Sequence, residues 1–179
     1  MVKHIILMVT VILLISCTSK TTNDDADSVI DSDGFTTSTL SSGKLSLRWR
    51  VIDNTTLDAA LIGDPSGEGW IAVGFGKSVM SGAKIILVQN GSDGTQFSTA
   101  TGFNFGLSSS EIGLSDTSIN VAGTEITASF NVSLADINVS AGESTSIIWA
   151  YKTVTQTIQS DVSTVGQHSA RGSTSITFQ

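Results

Sequence analysis

The sequence is short of the residues that most constrain a fold. Among 179 residues there are one cysteine, one proline, one tyrosine and two histidines. A single cysteine excludes an internal disulfide, and with so few histidines it also excludes a structural zinc site. No stretch holds helical periodicity over the length that a stable helix needs, which excludes a helical bundle. Charged residues make up 14% and the formal net charge is −7. With no basic patch to neutralise phosphates, nucleic acid is excluded as a partner. The carboxylates Asp64, Glu68, Asp93 and Asp116 are scattered and form no acid/base couple of the glycosidase kind. No nucleophile-elbow motif accompanies a histidine, so a hydrolase has no support either.

What the chain does contain begins with an address. Lys3 precedes an apolar run from Ile5 to Ile15, which is too short to span a bilayer comfortably. Leu14-Ile15-Ser16-Cys17 then resembles the lipobox of bacterial lipoproteins, with the only cysteine at the position that lipidation requires. The plainer alternatives are an ordinary cleaved signal or a membrane anchor. Residues 1–16 are read as a signal peptide and 17–39 as a lipidated, acidic, disordered tether. That tether carries Asp24, Asp25, Asp27, Asp31 and Asp33. Residues 40–179 are read as the folded domain. The expected location is the bacterial cell envelope, with Thr18 after the cysteine suggesting the outer membrane, facing periplasm or cell surface.

The folded part reads as all-β. Leu45, Leu47, Trp49 and Val51 alternate with polar residues, which predicts a half-buried strand. Further strands are predicted at Leu57–Ile62, Trp70–Gly76, Ala83–Val88, Ser146–Tyr151 and Ser173–Phe178. Ser118–Val121 and Glu125–Val132 form a hairpin with Ile126, Ala128 and Phe130 inward, and Ser133–Asp136 a short helical turn. Turn residues fall at Gly63–Gly67 and Asn90–Gly94. The stretch Gln96–Gly106 is ambiguous. Short strands at regular spacing predict an immunoglobulin-like β-sandwich of two antiparallel sheets.

The centre of the pattern is Gly69–Val88, GWIAVGFGKSVMSGAKIILV. It places Met80 on a loop between two apolar strands, near Gly74, Gly76 and Gly82, whose missing side chains let a flat ligand approach the backbone. Once the leader is set aside, taking Met1, Met8 and His4 with it, Met80 is the only methionine and His168 the only histidine. A thioether and an imidazole form one of the standard axial pairs of a low-spin haem iron. Taken singly, each residue has a plainer reading, as core filler or as a surface group.

GWIAVGFG, Met80 in MSGA, IIWAY, and His168 in HSARG before a terminal strand together resemble the DOMON family. The resemblance spans about Leu45 to Phe178. It implies a β-sandwich of the kind that serves as the cytochrome domain of fungal cellobiose dehydrogenase. It further implies non-covalent haem b with Met80 and His168 as axial ligands to the iron, and single-electron exchange with an unidentified redox protein. Trp70, Phe75, Lys84 and Arg171 are pocket candidates under it; their plainer readings are core for the aromatics and solvated surface for the cations. The chain departs from many members at Lys84, where they are acidic, and in ITASFNV, which lacks an arginine they carry. The resemblance also leaves open a haem-free module that binds carbohydrate or another small ligand at the cell surface. Neither reading makes the domain an enzyme.

Overall fold

The computed structural model describes residues 28–41, 44–103, 106–153 and 157–179. The expected signal segment 1–16, the lipidation position Cys17 and the tether as far as residue 27 lie outside the described residues. The described chain forms two six-stranded antiparallel sheets packed face to face. The first runs in the order β1 (Ser28–Ile30), β2 (Thr36–Ser41), β3 (Leu45–Ile52), β4 (Thr56–Gly63), β10 (Glu125–Ser133) and β9 (Leu114–Ala122). The second runs β12 (Ala170–Thr177), β11 (Ser144–Lys152), β5 (Gly69–Phe75), β6 (Lys84–Gly91), β7 (Gly94–Phe103) and β8 (Gly106–Ser109). This is the β-sandwich that the alternating pattern predicts.

Alternation decides what each strand contributes to the interior. Leu45, Leu47 and Trp49 of β3, Leu57, Ala59 and Leu61 of β4, and Ile126, Ala128, Phe130 and Val132 of β10 point inward from the first sheet. Ile71, Val73 and Phe75 of β5, Ile86 and Val88 of β6, and Ile147 of β11 meet them from the second. The C-terminal Phe178 closes this core, edge-on to Trp49 with ring centroids 5.5 Å apart. The hairpin from β6 to β7 turns at Ser92 and Asp93, within the predicted Asn90–Gly94 turn.

Strand pairing corrects one expectation and resolves one stretch that the sequence left open. The tether read as disordered over 17–39 contains β1 and most of β2, so strand structure is already present from Ser28. The acidic residues that suggested solvation instead build a turn. The Asp31 carboxylate accepts the N–H groups of Asp33 and Phe35 at 2.9 and 3.0 Å. Its other oxygen meets Arg48 Nη2 at 2.7 Å, and Phe35 lies under the Arg48 guanidinium at 3.9 Å. The ambiguous stretch after Gln96 is β7 followed by β8. Its many Ser and Thr residues give it little apolar rhythm of its own, and pairing with β6 fixes it.

Candidate functional site

β5 is buried at all seven positions, although a sheet strand has only one face toward the sandwich interior. Burial on both faces means that the outer face of the second sheet is covered as well. A second apolar cluster lies there, made of Trp70, Ala72, Ala83, Ile85, Leu87, Ala100 and Val162. Met80, Leu107, Ile148, Ala150 and Val165 pack against it, partly exposed. The register sets the face out in rows: Ile148, Gly74 and Ile85, then Ala150, Ala72 and Leu87, then Lys152, Trp70 and Gln89. Small residues fill the middle. A Cβ at Gly74 would collide with Ile148 and Ile85, which lean over it from either side.

Met80 reaches this face through a pinned loop. The Gly82 N–H donates to the Gly102 carbonyl at 2.7 Å, and the Gly102 N–H to the Ala83 carbonyl at 3.0 Å. The Ala83 N–H in turn donates to the Met80 carbonyl at 3.1 Å. That carbonyl lies so close over Gly102 that a Cβ there would run into it. The loop is therefore fixed to the end of β7, with the thioether side chain against the outer cluster.

From the other end, residues 157–169 cross the face as a strap between β11 and β12. Gln89, fully buried on β6, holds it with two hydrogen bonds. Gln89 Nε2 donates to the Gln159 carbonyl and Gln89 Oε1 accepts the Gln159 N–H, both at 2.9 Å. Asp93 Oδ1 accepts the Ile158 N–H at 2.9 Å. The strap then makes one 3₁₀ turn, Val162–Thr164, capped by Asp161, which drops Val162 into the cluster. The Ser163 N–H bonded to the Asp161 carboxylate holds its pKa below the ordinary range. The strap rejoins the sheet where the Ser169 N–H donates to the Tyr151 carbonyl at 2.8 Å. His168 stands exposed immediately before that anchor.

The structure thus places Met80 and Trp70 on one face and His168 at that face's far end. Arg171, exposed on β12, stands in register with Ala150 on the same side of the sheet. Phe75 and Lys84 are not part of it. Phe75 alternates to the inner side and packs on Phe178 at 6.0 Å between ring centroids. Lys84 shares its parity with inward-facing Ile86 and Val88, and its Nζ donates to Thr101 Oγ1 at 3.3 Å. A fully apolar run in a sequence reveals burial on both faces but not which parity meets which side. Gln89, Lys152 and Val162 escaped the sequence reading. Gln89 alone left a trace, as a polar residue closing the run IILV. No group of three or more His, Cys, Asp or Glu side chains among the described residues could hold a bare metal ion.

No family model matches the chain, and no curated protein matches it. Among the solved structures that resemble it are two that match along most of its length. One is the cytochrome domain of cellobiose dehydrogenase from Myriococcum thermophilum, with a TM-score of 0.64 at 16% identity over 88% of this chain and 90% of that one. This chain has the fold of a cytochrome-domain β-sandwich. The other is the cytochrome b domain of pyranose dehydrogenase from Coprinopsis cinerea, with a TM-score of 0.63 at 17% identity over 85% of this chain and 87% of that one. At such identities the likeness is one of architecture.

Proposed function

We propose that this domain binds one haem b on the outer face of its second sheet and carries single electrons. The observation that carries the reading is the placement of Met80 against a buried apolar face whose far end bears His168. Two further features fit a flat, largely apolar macrocycle. Ala72 and Ala150 keep the central row of the face low, and the buried Trp70 Nε1 has no hydrogen-bond acceptor. The fold shared with two cytochrome domains supports the same reading.

Haem, when bound, supplies a one-electron iron couple. The chain's part is to offer a thioether from the loop after β5 and an imidazole from the end of the strap. If Met80 and His168 both held the iron, the haem would supply electron transfer rather than activation of oxygen or substrate, and the domain would be a carrier. The methionine should hold the potential above that of a bis-histidine site. In this reading a lipid on Cys17 keeps the carrier at the cell envelope, beside a redox partner. A Cys17→Ser variant should leave the membrane fraction.

A carbohydrate-binding module is the second reading. Its best place is the shallow cleft of about 430 Å³ lined by Leu40 and by the hydroxyl-bearing residues Thr39, Ser78, Ser146, Ser173, Thr174 and Ser175. No aromatic side chain lines that cleft to stack on a sugar ring, which makes it the weaker reading.

The deciding experiment is an absorption spectrum of the domain expressed with haem supplied. The expected result is a reduced-minus-oxidised difference spectrum of b type. His168→Ala should abolish haem retention, because it removes the stronger nitrogen donor. Met80→Ala should keep haem and shift it toward high spin. Unchanged haem content and spectra in both variants would overturn the reading.

A further inference from the structure

In this acidic chain, the cations of the first sheet are spoken for. Lys44 pairs with Asp64 at 3.3 Å, Arg48 with Asp31 at 2.7 Å and Arg50 with Asp58 at 2.8 Å. On the outer side of the second sheet the pattern reverses. Among the described residues, Lys152 and Arg171 make no ion pair with a carboxylate. Both stand at the His168 end of the candidate site.

Lys152 lies directly across from Trp70 in the register, and Trp70 across from Gln89. The Lys152 side chain reaches from β11 to the strap, where its Nζ occupies the space that a Cβ on Gly166 would need. Its ammonium is therefore two residues from His168. Beside it, Trp70 is 5% exposed and its indole N–H has no acceptor. A buried donor left without a partner is costly, and such groups are usually satisfied by protein, water or ligand. Trp49 has the same deficiency, but it is enclosed between the sheets against Phe178, where no ligand can reach. Trp70 instead belongs to the outer cluster. At the β6 end of this row, Gln89 and the strap close the face. At the β11–β12 end, Lys152 is half-buried and Arg171 exposed, so an anion arriving there keeps part of its hydration.

We propose that Lys152, Trp70 and Arg171 form a carboxylate-binding end to the outer face, made for a planar ligand with an apolar body and acid groups along one edge. The inference rests on the haem reading, under which those acids are the propionates. The apolar row of Ala150, Ala72 and Leu87, which lies between the Met80 loop and His168, takes one edge of the ligand's apolar body. Lys152 supplies the charge, Trp70 Nε1 a directed hydrogen bond, and Arg171 a guanidinium that can grip a carboxylate through two N–H groups.

The test compares free-acid haem with its dimethyl ester, which keeps the ring and iron but cannot carry the negative charge. Both are titrated into the full-length protein, with circular dichroism used to establish that each variant is folded. Wild type should bind the acid more tightly. Lys152→Met should weaken acid binding about tenfold, as the loss of one charge-assisted hydrogen bond does, and leave ester binding unchanged, while Trp70→Phe, which also alters the apolar face, should weaken acid binding more than ester binding. Lys152→Arg should restore the preference. Equal affinity of wild type for the two porphyrins overturns this inference and leaves the haem reading standing. So does an equal loss for both porphyrins in the variants, because that would mark a packing role. Binding of neither porphyrin overturns the haem reading and this inference with it.

Discussion

The carbonyl of Met80 rests on the Cα of Gly102, twenty-two positions further along the chain, with no room for a side chain between them. That contact, together with the hydrogen bonds from Gly82 and Ala83, gives the Met80 loop one position at the end of β7. Glycine at 102 is required by the approach of another backbone, and by no unusual torsion of its own.

Gly102→Ala should therefore act on the site through the loop. Backbone against a new methyl has no flexible end to yield, so overpacking of about 1–3 kcal/mol is expected in chemical denaturation. The thioether should move with the loop. A haem-loaded Gly102→Ala protein should take on part of the high-spin character expected of Met80→Ala, whereas a wild-type spectrum would show that the loop tolerates the methyl.

Gln89→Leu should release the strap. It removes both hydrogen bonds to the Gln159 backbone and leaves those groups to find new partners, a loss of about 1–3 kcal/mol. Hydrogen exchange on the haem-free protein is the measurement. The Gln159 amide should exchange faster by about one to two orders of magnitude, and the amides of β5 and β6 should not change. Uniform acceleration throughout the sheet would mean that Gln89 supports the fold rather than the strap.

Trp70 and Phe75 are neighbours in one motif with opposite duties. Phe75→Leu should lower stability by about 1–2 kcal/mol, because it opens space beside Phe178 in the main core. It should leave porphyrin affinity alone. Trp70→Phe also removes buried volume and should lower stability, but it should in addition weaken binding of the free-acid porphyrin. Paired denaturation and titration curves separate the two.

The β1–β2 hairpin should respond to acid. The Arg48 guanidinium, with the backbone N–H groups of Phe35 and Asp33, holds the Asp31 carboxyl below the ordinary range despite partial desolvation. A depressed folded pKa means that its contribution is complete above the unfolded value and disappears as pH falls through the folded one. Hairpin order should thus persist at neutral pH and be lost only as pH falls through a range below that of an ordinary carboxyl group. Asp31→Asn should flatten that dependence, as followed by exchange of the Phe35 amide.

These cases mark how far the sequence could be read. The inward sets Leu45, Leu47 and Trp49 and Ile126, Ala128 and Phe130 were legible because each strand alternates by itself. The hairpin at Asp31 was not, because an aspartate that organises a turn looks the same as one that solvates a tether until Arg48 is seen beside it. Met80 and His168 stood out by their scarcity. Gln89 could not, since its meaning depends on Gln159, seventy positions away.

The double burial of β5 has a consequence for how such a domain can change over generations. Its odd-numbered residues, Ile71, Val73 and Phe75, answer to the stability of the sandwich. Its even-numbered ones, Trp70, Ala72 and Gly74, answer to whatever lies on the outside. Replacement at one set leaves the other facing unchanged surroundings. The strand can thus be inherited as a scaffold by half its residues and rewritten for a different guest by the other half.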